Sequence, residues 1–335
     1  MKTSKLFLVL IFLTLILLNA CKYAEVNSDI EKPGAYKTKS VVIIIMDGAR
    51  YSETFGDSTL QYIPNLATQI APQAVLCENF YNDGPTYTVA GHAAITTGYF
   101  QPINNSGFEW PSHPSICQYY NKVQNVKGPL TYIITSKDKL AILGNTSNPS
   151  WHNKYLPSTD CGINGGGLGS GYRSDSLTCL EAISILSTYH PRIVIINFKE
   201  PDESGHTGVW DAYVNGIRKT DEYISKIWTF LNNDKFYKDS TTVFITNDHG
   251  RHLDGVNGGF SNHGCDCEGC KHIFLLAAGP DFKKNKVIDR HYSLIDIAPT
   301  TAKLLGFPFP PDSATVMQEL FIKYEDSDIQ APADR

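Results

Sequence analysis

No basic tract runs through this sequence of 335 residues: 29 Lys and Arg are outnumbered by 34 Asp and Glu, for a formal net charge of −5. A nucleic-acid surface needs clustered positive charge to neutralise phosphates, so the composition excludes that class of partner. An anionic ligand must then be drawn in by a local cluster rather than by the field of the whole molecule. Long apolar runs are scarce as well. The one at residues 6–18 falls short of the roughly 20 residues that cross a bilayer comfortably. No internal repeat is visible and no linker divides the chain, so residues 40–325 read as one folded domain of the size reached by an open sheet with insertions. The glycine run Gly165 to Gly171 has no following Gly-Lys-Ser/Thr and follows no clear strand, so it reads as a loop rather than a phosphate cradle.

The apolar run has a meaning of its own. Lys2 and Lys5 make a basic start, the run follows, and Leu18-Asn-Ala-Cys21 has lipobox form. Residues 1–20 therefore read as a bacterial lipoprotein signal, with diacylglycerol carried on Cys21. Residues 21–39, polar and containing Pro33-Gly34, form a tether, and residues 326–335 a C-terminal tail. This predicts a periplasmic or cell-surface protein held to a membrane, with a net charge of −7 once Lys2 and Lys5 are gone. Seven cysteines remain: Cys77, Cys117, Cys161, Cys179, Cys265, Cys267 and Cys270. An oxidising compartment permits disulfides, for example Cys161 with Cys179 across the glycine-rich loop, or two of the 265–270 cluster, and the odd count leaves at least one thiol. A metal site within the cluster alone lacks a second Cys-x-x-Cys pair to complete four ligands.

Strand-like apolar runs stand near residues 41–46, 130–135, 193–198, 242–246 and 273–277, separated by helical patterns that include residues 210–231 and 293–305. This predicts an α/β fold with a central, mostly parallel sheet flanked by helices. Residues 102–120 and 145–172 show no periodicity and are rich in aromatic and turn residues, so they read as insertions capping a site, with Trp110 and Trp151 as candidate lining residues. Hard-metal ligands follow the strands: Asp47 after the first, the run Asp202-Glu-Ser-Gly-His206 after the third, Asp248-His249 after the fourth, and His263 in Ser-Asn-His-Gly. Open parallel sheets gather such residues at the carboxyl edge, where their chemistry resides. Thr88 opens a segment of small, helix-compatible residues, and a helix N-terminus favours an anion or an alkoxide, which makes Thr88 a candidate nucleophile.

In these motifs and their order, from about residue 41 to about residue 320, the chain resembles the alkaline phosphatase superfamily, in the branch of nucleotide pyrophosphatase/phosphodiesterases and phosphate-irrepressible bacterial alkaline phosphatases. The resemblance implies two zinc ions, one held by Asp202, His206 and His263, the other by Asp47, Asp248, His249 and the hydroxyl of Thr88. A metal there lowers the pKa of the threonine hydroxyl and so activates it. Oxygen and nitrogen ligands without thiolate suit a catalytic pair better than a closed structural site.

Lys137 and Lys139 end a strand two residues apart, and alternate residues share a face. Two cations aimed at non-bridging oxygens favour a dianionic phosphomonoester over a diester. The phosphate-irrepressible enzymes resemble Lys-Asp-Arg here, so Lys139 keeps the charge but not the bidentate fork. They also place an asparagine about twenty residues after the threonine; Asn105 is taken for that donor, although spacing alone does not separate it from Asn104. Diesterases of the branch resemble Thr-Phe-Pro-Asn-His, against Thr88-Val-Ala-Gly91-His92 here, and sulfatases carry Cys/Ser-x-Pro-x-Arg, which this segment lacks. The expectation is a metal-dependent phosphomonoesterase acting on a phosphorylated small molecule. A phosphodiesterase or phosphonate hydrolase is the rival of the same chemistry, and a non-catalytic surface binding protein the rival of another class.

Overall fold

A computed structural model describes residues 36–125, 129–310 and 314–322. The predicted leader, most of the tether and the C-terminal tail lie outside the described residues. Nine strands form one sheet: β1 Ser40–Met46, β2 Ala74–Tyr81, β3 Thr131–Thr135, β4 Ser158–Cys161, β5 Ile193–Phe198, β6 Thr241–Thr246, β7 His272–Ala278, β8 Lys286–Ile288 and β9 Tyr292–Ser293. Their order is β4-β3-β5-β1-β6-β7-β2-β8, with β9 also on β2. β1 runs parallel to β5 and β6, and β3 parallel to β4 and β5. β7 alone runs against both its neighbours, β6 and β2. The helices are α1 Thr88–Thr97, α2 Ile116–Gln124, α3 Asp175–Tyr189, α4 Asp202–His206, α5 Trp210–Asn233, α6 Glu268–Lys271 and α7 Ile297–Leu305.

The central strands are β-branched and covered on both faces, so all seven residues of β1 are buried. Alternate side chains enter two cores. Val41, Ile43 and Ile45 face α1, α2 and α7, whereas Val42, Ile44 and Met46 face α3 and α5. At about 1.5–3 kcal/mol for each fully buried Val or Ile side chain, this one strand anchors both layers. None of the described helices is long and apolar enough to cross a membrane.

The five anticipated strands are present as β1, β3, β5, β6 and β7, and the two helical patterns as α5 and α7. Four other strands were not legible. β2 is interrupted by an irregularity between Cys77 and Phe80 that breaks its alternation. β4, Ser-Thr-Asp-Cys, is polar because it pairs only with β3 at the sheet edge. β8 and β9 are three and two residues long. β4 and α2 also lie partly in the stretches read as unperiodic insertions, since α2 is a short amphipathic helix started by the capping box of Ser115 and Gln118.

All seven described cysteines are free thiols. Cys161 and Cys179 cannot pair as anticipated, because Cys161 belongs to the core on one side of the sheet and Cys179 to the core on the other.

Candidate metal centre and nucleophile

Five strands deliver the site. β1, β3, β5, β6 and β2 all point the same way, and the residues just past their carboxyl ends are Asp47, Lys137, Asp202, Asp248-His249 and Thr88. The antiparallel β7 begins at this same edge, so the loop from β6 to β7 must return here, and it brings His263 with it. Backbone bonds lace the turns together. Asp202 N–H donates to Asp47 O at 3.0 Å, Gly48 N–H to Asp248 Oδ1 at 3.1 Å, and the Asn247 amide to Met46 O at 2.8 Å. Two glycines permit this closeness. A Cβ on Gly91 would lie 2.4 Å from Asp248 O, so α1 reaches the Asp248 turn only without one. A Cβ on Gly48, whose φ is +69°, would meet Asp202 Cβ at 2.9 Å.

Two ligand groups result. Asp202, His206 and His263 converge, with the Nε2 atoms of His206 and His263 at 3.3 and 3.4 Å from Asp202 Oδ1. This group opens to solvent through His206, whose side chain is 46% exposed. Asp47, Asp248 and His249 form a wholly buried group, with His249 Nε2 at 3.7 Å from Asp47 Oδ1 and 3.5 Å from Asp248 Oδ2. Asp202, His206 and His263 lie within reach of one ion, as do Asp47, Asp202 and His249, and Asp47, His92 and Asp248.

The donors fit divalent metal ions on three grounds. Two imidazoles have their Nδ1 on a backbone carbonyl, His249 on Gly250 O at 2.9 Å and His263 on Thr86 O at 2.9 Å, which leaves each Nε2 a lone pair for an ion. His249 Nε2 and Asp248 Oδ2 are buried with no hydrogen-bond partner, a costly arrangement unless something else satisfies them. Burial also pushes the His249 and His263 imidazoles down to about 3 and about 4, so both are neutral and able to ligate at pH 7.

Thr88 is the first residue of α1 and 1% exposed. Its Oγ1 accepts from Lys137 Nζ at 3.2 Å, and the same ammonium donates to Asp47 Oδ1 at 2.9 Å and Asp202 Oδ2 at 2.7 Å. Burial alone would discharge Lys137, but Asp202, Asp47 and Asp248 hold it protonated. The carboxylates respond unequally. Burial pushes Asp47 up against the pull of Lys137. Burial opposes ionisation of Asp202 too, but Lys137, His206, His249 and Arg251 together hold it well below the usual range.

Lys139 Nζ donates to Asn105 Oδ1 at 3.1 Å, and the same oxygen accepts from Val89 N–H at 3.0 Å, so Asn105 stands against the start of α1. Asn104 instead holds the Glu109 carboxylate in an exposed loop. The strand-alternation argument for the lysines needs correction. β3 ends at Thr135, and Lys139 lies in the 3-10 turn Asp138–Gly144; the two ammoniums converge because that turn packs against α1. Burial, then the charge of Lys137, lowers the pKa of Lys139. Trp151 packs on Tyr119 and Tyr155 below Lys122, and Trp110 on His152. Tyr87 stands edge-on to His263 at 5.9 Å between ring centres.

Three supporting residues went unnoticed in the sequence. Arg251, fully buried, donates to Asp202 Oδ1 and reaches His206 Nδ1 at 3.2 Å. Asn197 donates to Asp47 Oδ2 at 3.0 Å and to His92 Nε2 at 3.1 Å. His92 lies near Asp47 and Asp248, as a ligand would. However, its Nδ1 donates to Thr88 O at 2.8 Å and its Nε2 accepts from Asn197, so both ring nitrogens are used. His92 positions the turn at Thr88. It stands four residues after Thr88 on one helix face.

Residues 170–309 match the family model of the Metalloenzyme superfamily, a stretch that holds Asp202, His206, Asp248, His249 and His263. Among solved structures, a phosphonate monoester hydrolase from Silicibacter pomeroyi covers 88% of this chain and 78% of its own, with TM-score 0.64 and 13% identity. This likeness shows that the chain shares that protein's fold. Murine ectonucleotide pyrophosphatase/phosphodiesterase 5 is similar over 84% of this chain and all of its own, with TM-score 0.62 and 15% identity. In sequence, 129 residues are 32% identical to the 2,3-bisphosphoglycerate-independent phosphoglycerate mutase of Caenorhabditis elegans, or 38% of this chain. The match spans only 22% of that relative's length.

Proposed function

We propose that the protein is a metal-dependent phosphomonoesterase in which Thr88 is the nucleophile. The observation that carries the reading is the position of Thr88 Oγ1: at the start of a helix and on the Lys137 ammonium, which also bonds Asp47 and Asp202, one carboxylate from each proposed ligand group. Asp202, His206 and His263 would hold one divalent ion and Asp47, Asp248, His249 and Thr88 the other, with zinc the ion proposed. Such ions supply charge to lower the threonine pKa and to stabilise the leaving oxygen.

The chain's own groups do the rest. Lys137, held protonated at the hydroxyl, favours the Thr88 alkoxide. Thr88 Oγ forms a bond to phosphorus while the ester oxygen leaves with its electron pair and takes up a proton. Water then attacks the phosphothreonine, releasing inorganic phosphate and restoring the hydroxyl. The non-bridging oxygens meet Lys137 and, across Asn105, Lys139. His92 and Asn197 fix the backbone of Thr88 and the rotamer of Asp47, so the reacting atoms start near their required geometry.

A phosphodiesterase or phosphonate hydrolase is the reading to displace, since both activities occur in the names of proteins sharing the fold. The test is paired kinetics of the metal-loaded protein on an aryl phosphate monoester and the matching diester, with Lys137→Ala alongside. Monoester preference that falls about 10²-fold or more in the variant supports the proposal. Diester preference, or indifference to Lys137, places the activity with the diesterases. A protein that binds metal and cleaves neither would be a binding protein on an enzyme fold. The same proposal sets the enzyme outside the cytoplasm on a lipidated Cys21, an expectation that rests on the leader pattern alone.

A further inference from the structure

A second constellation of ligands lies in the loop between β6 and β7, apart from the two groups already described. His252 Nδ1 stands 3.2 Å from Cys265 Sγ, 3.3 Å from Cys267 Sγ and 3.2 Å from Cys270 Sγ. Cys265 Sγ and Cys270 Sγ are 4.0 Å apart. A disulfide needs about 2.05 Å between sulfurs, so this pair is at twice bonding distance. A single imidazole nitrogen engages one thiol as donor or acceptor, so three sulfurs at equal range are not explained by hydrogen bonding. Tetrahedral zinc, with Zn–S of about 2.3 Å and Zn–N of about 2.0 Å, spaces its ligand atoms about 3.5–3.8 Å apart, close to what is found here. His252 is 3% exposed and Cys270 fully buried, which suits a closed site.

We propose that His252, Cys265, Cys267 and Cys270 form a structural zinc site of Cys3His type, distinct from the catalytic pair. Three cysteines of one short segment lacked a fourth ligand in the sequence, and the fold supplies it from thirteen residues upstream of the first.

Its position gives it a role. The ion closes the neck of a loop whose two ends carry site residues: Arg251, on Asp202, adjoins His252, and His263 lies two residues before Cys265. The neck is also tied to the nucleophile turn, since Thr86 Oγ1 donates to Cys265 O at 3.0 Å, and to the sheet edge through Gly250 N–H on Cys270 O at 2.8 Å. The segment between the ligands contains Gly255, Gly258 and Gly259, all with positive φ; its Phe260 packs on Trp210 and Tyr213, whereas Leu253 and Val256 are exposed. A metal cross-link holds such a loop where a core cannot. The proposal stands on sulfur geometry and is independent of the phosphatase reading.

The test replaces zinc with Co²⁺ in the purified full chain and reads the near-ultraviolet thiolate-to-cobalt absorption band, to which ligands bound through oxygen and nitrogen do not contribute. The band is expected in the unaltered protein and in His263→Ala, and His252→Cys is expected to keep it with an added thiolate. Cys270→Ser should lose the band and one metal ion per chain. Absence of the band in the unaltered protein would overturn the proposal, as would a disulfide among Cys265, Cys267 and Cys270 found by mass spectrometry of the metal-loaded chain. Because the decisive reading is on the unaltered protein, misfolding of a variant does not obscure it.

Discussion

The ligand groups at the sheet edge and the cysteine–histidine knot are built in opposite ways. The edge groups draw Asp47, Thr88, Lys137, Asp202 and Asp248 from five strand ends spread over some 200 residues; the knot draws its four from one loop of 19 residues. The edge groups offer hard oxygen and imidazole donors with buried lone pairs left unpartnered, which suits ions that must also meet substrate. The knot offers sulfur and one imidazole, all turned on each other. The contrast teaches that rigidity reaches the two places from different sources. The sheet fixes strand ends at no further cost, whereas a glycine-rich loop needs its own cross-link before it can present His263 and Arg251.

Substitutions should therefore separate the two. Thr88→Ala is expected to remove at least about 10³-fold of kcat while leaving the sulfur–cobalt band unchanged. Residual turnover above a few per cent in steady-state assays would remove Thr88 from the nucleophile role. Gly91→Ala comes next. Its Cβ would press on Asp248 O, so α1 must shift, at a cost of about 10²-fold in kcat and about 1–3 kcal/mol in stability. Normal kinetics together with an unshifted denaturation midpoint would show that the close approach is not needed.

Cys270→Ser is expected to lower kcat/KM about tenfold through looser placement of His263, with catalytic metal affinity falling in parallel in chelator titrations. An unaltered affinity would uncouple knot from edge. The last prediction concerns pH. Asp175 holds the backbone of Lys199 and Glu200, just before Asp202, and burial raises its pKa from 3.8 to about 6. The folded state thus binds the proton more tightly than the unfolded one. The contribution is complete below pH 3.8 and is lost as pH rises through about 6, amounting to about 3 kcal/mol at most. Relative to Asp175→Asn, the unaltered protein should lose stability over that window in chemical denaturation; a pH-independent difference would exclude Asp175 as a titrating support.

How far the sequence could be read follows the same division. Asp47, Asp202 and Asp248-His249 were legible because each follows a β-branched run, and in an open parallel sheet residues past such runs share one edge. Asn197 and His92 were hidden because one lies inside a strand and the other inside a helix, where nothing local separates a satisfied polar residue from an apolar neighbour. Arg251 and His252 adjoin the conspicuous Asp248-His249, yet one reaches back to Asp202 and the other forward to three cysteines. The convergence of Lys137 and Lys139 was anticipated by a rule that does not hold past Thr135.

The sequence by itself determined the α/β architecture, the edge at which chemistry gathers and the kind of donor found there, because periodicity and residue type act over a few positions. Only the tertiary structure decided which nitrogen of His249 and of His263 is free, which asparagine stands beside Thr88, and where the cysteines find a fourth ligand. Those are matters of distance between segments remote in the chain, and side-chain pattern carries no measure of such distances until the sheet has closed on both its cores.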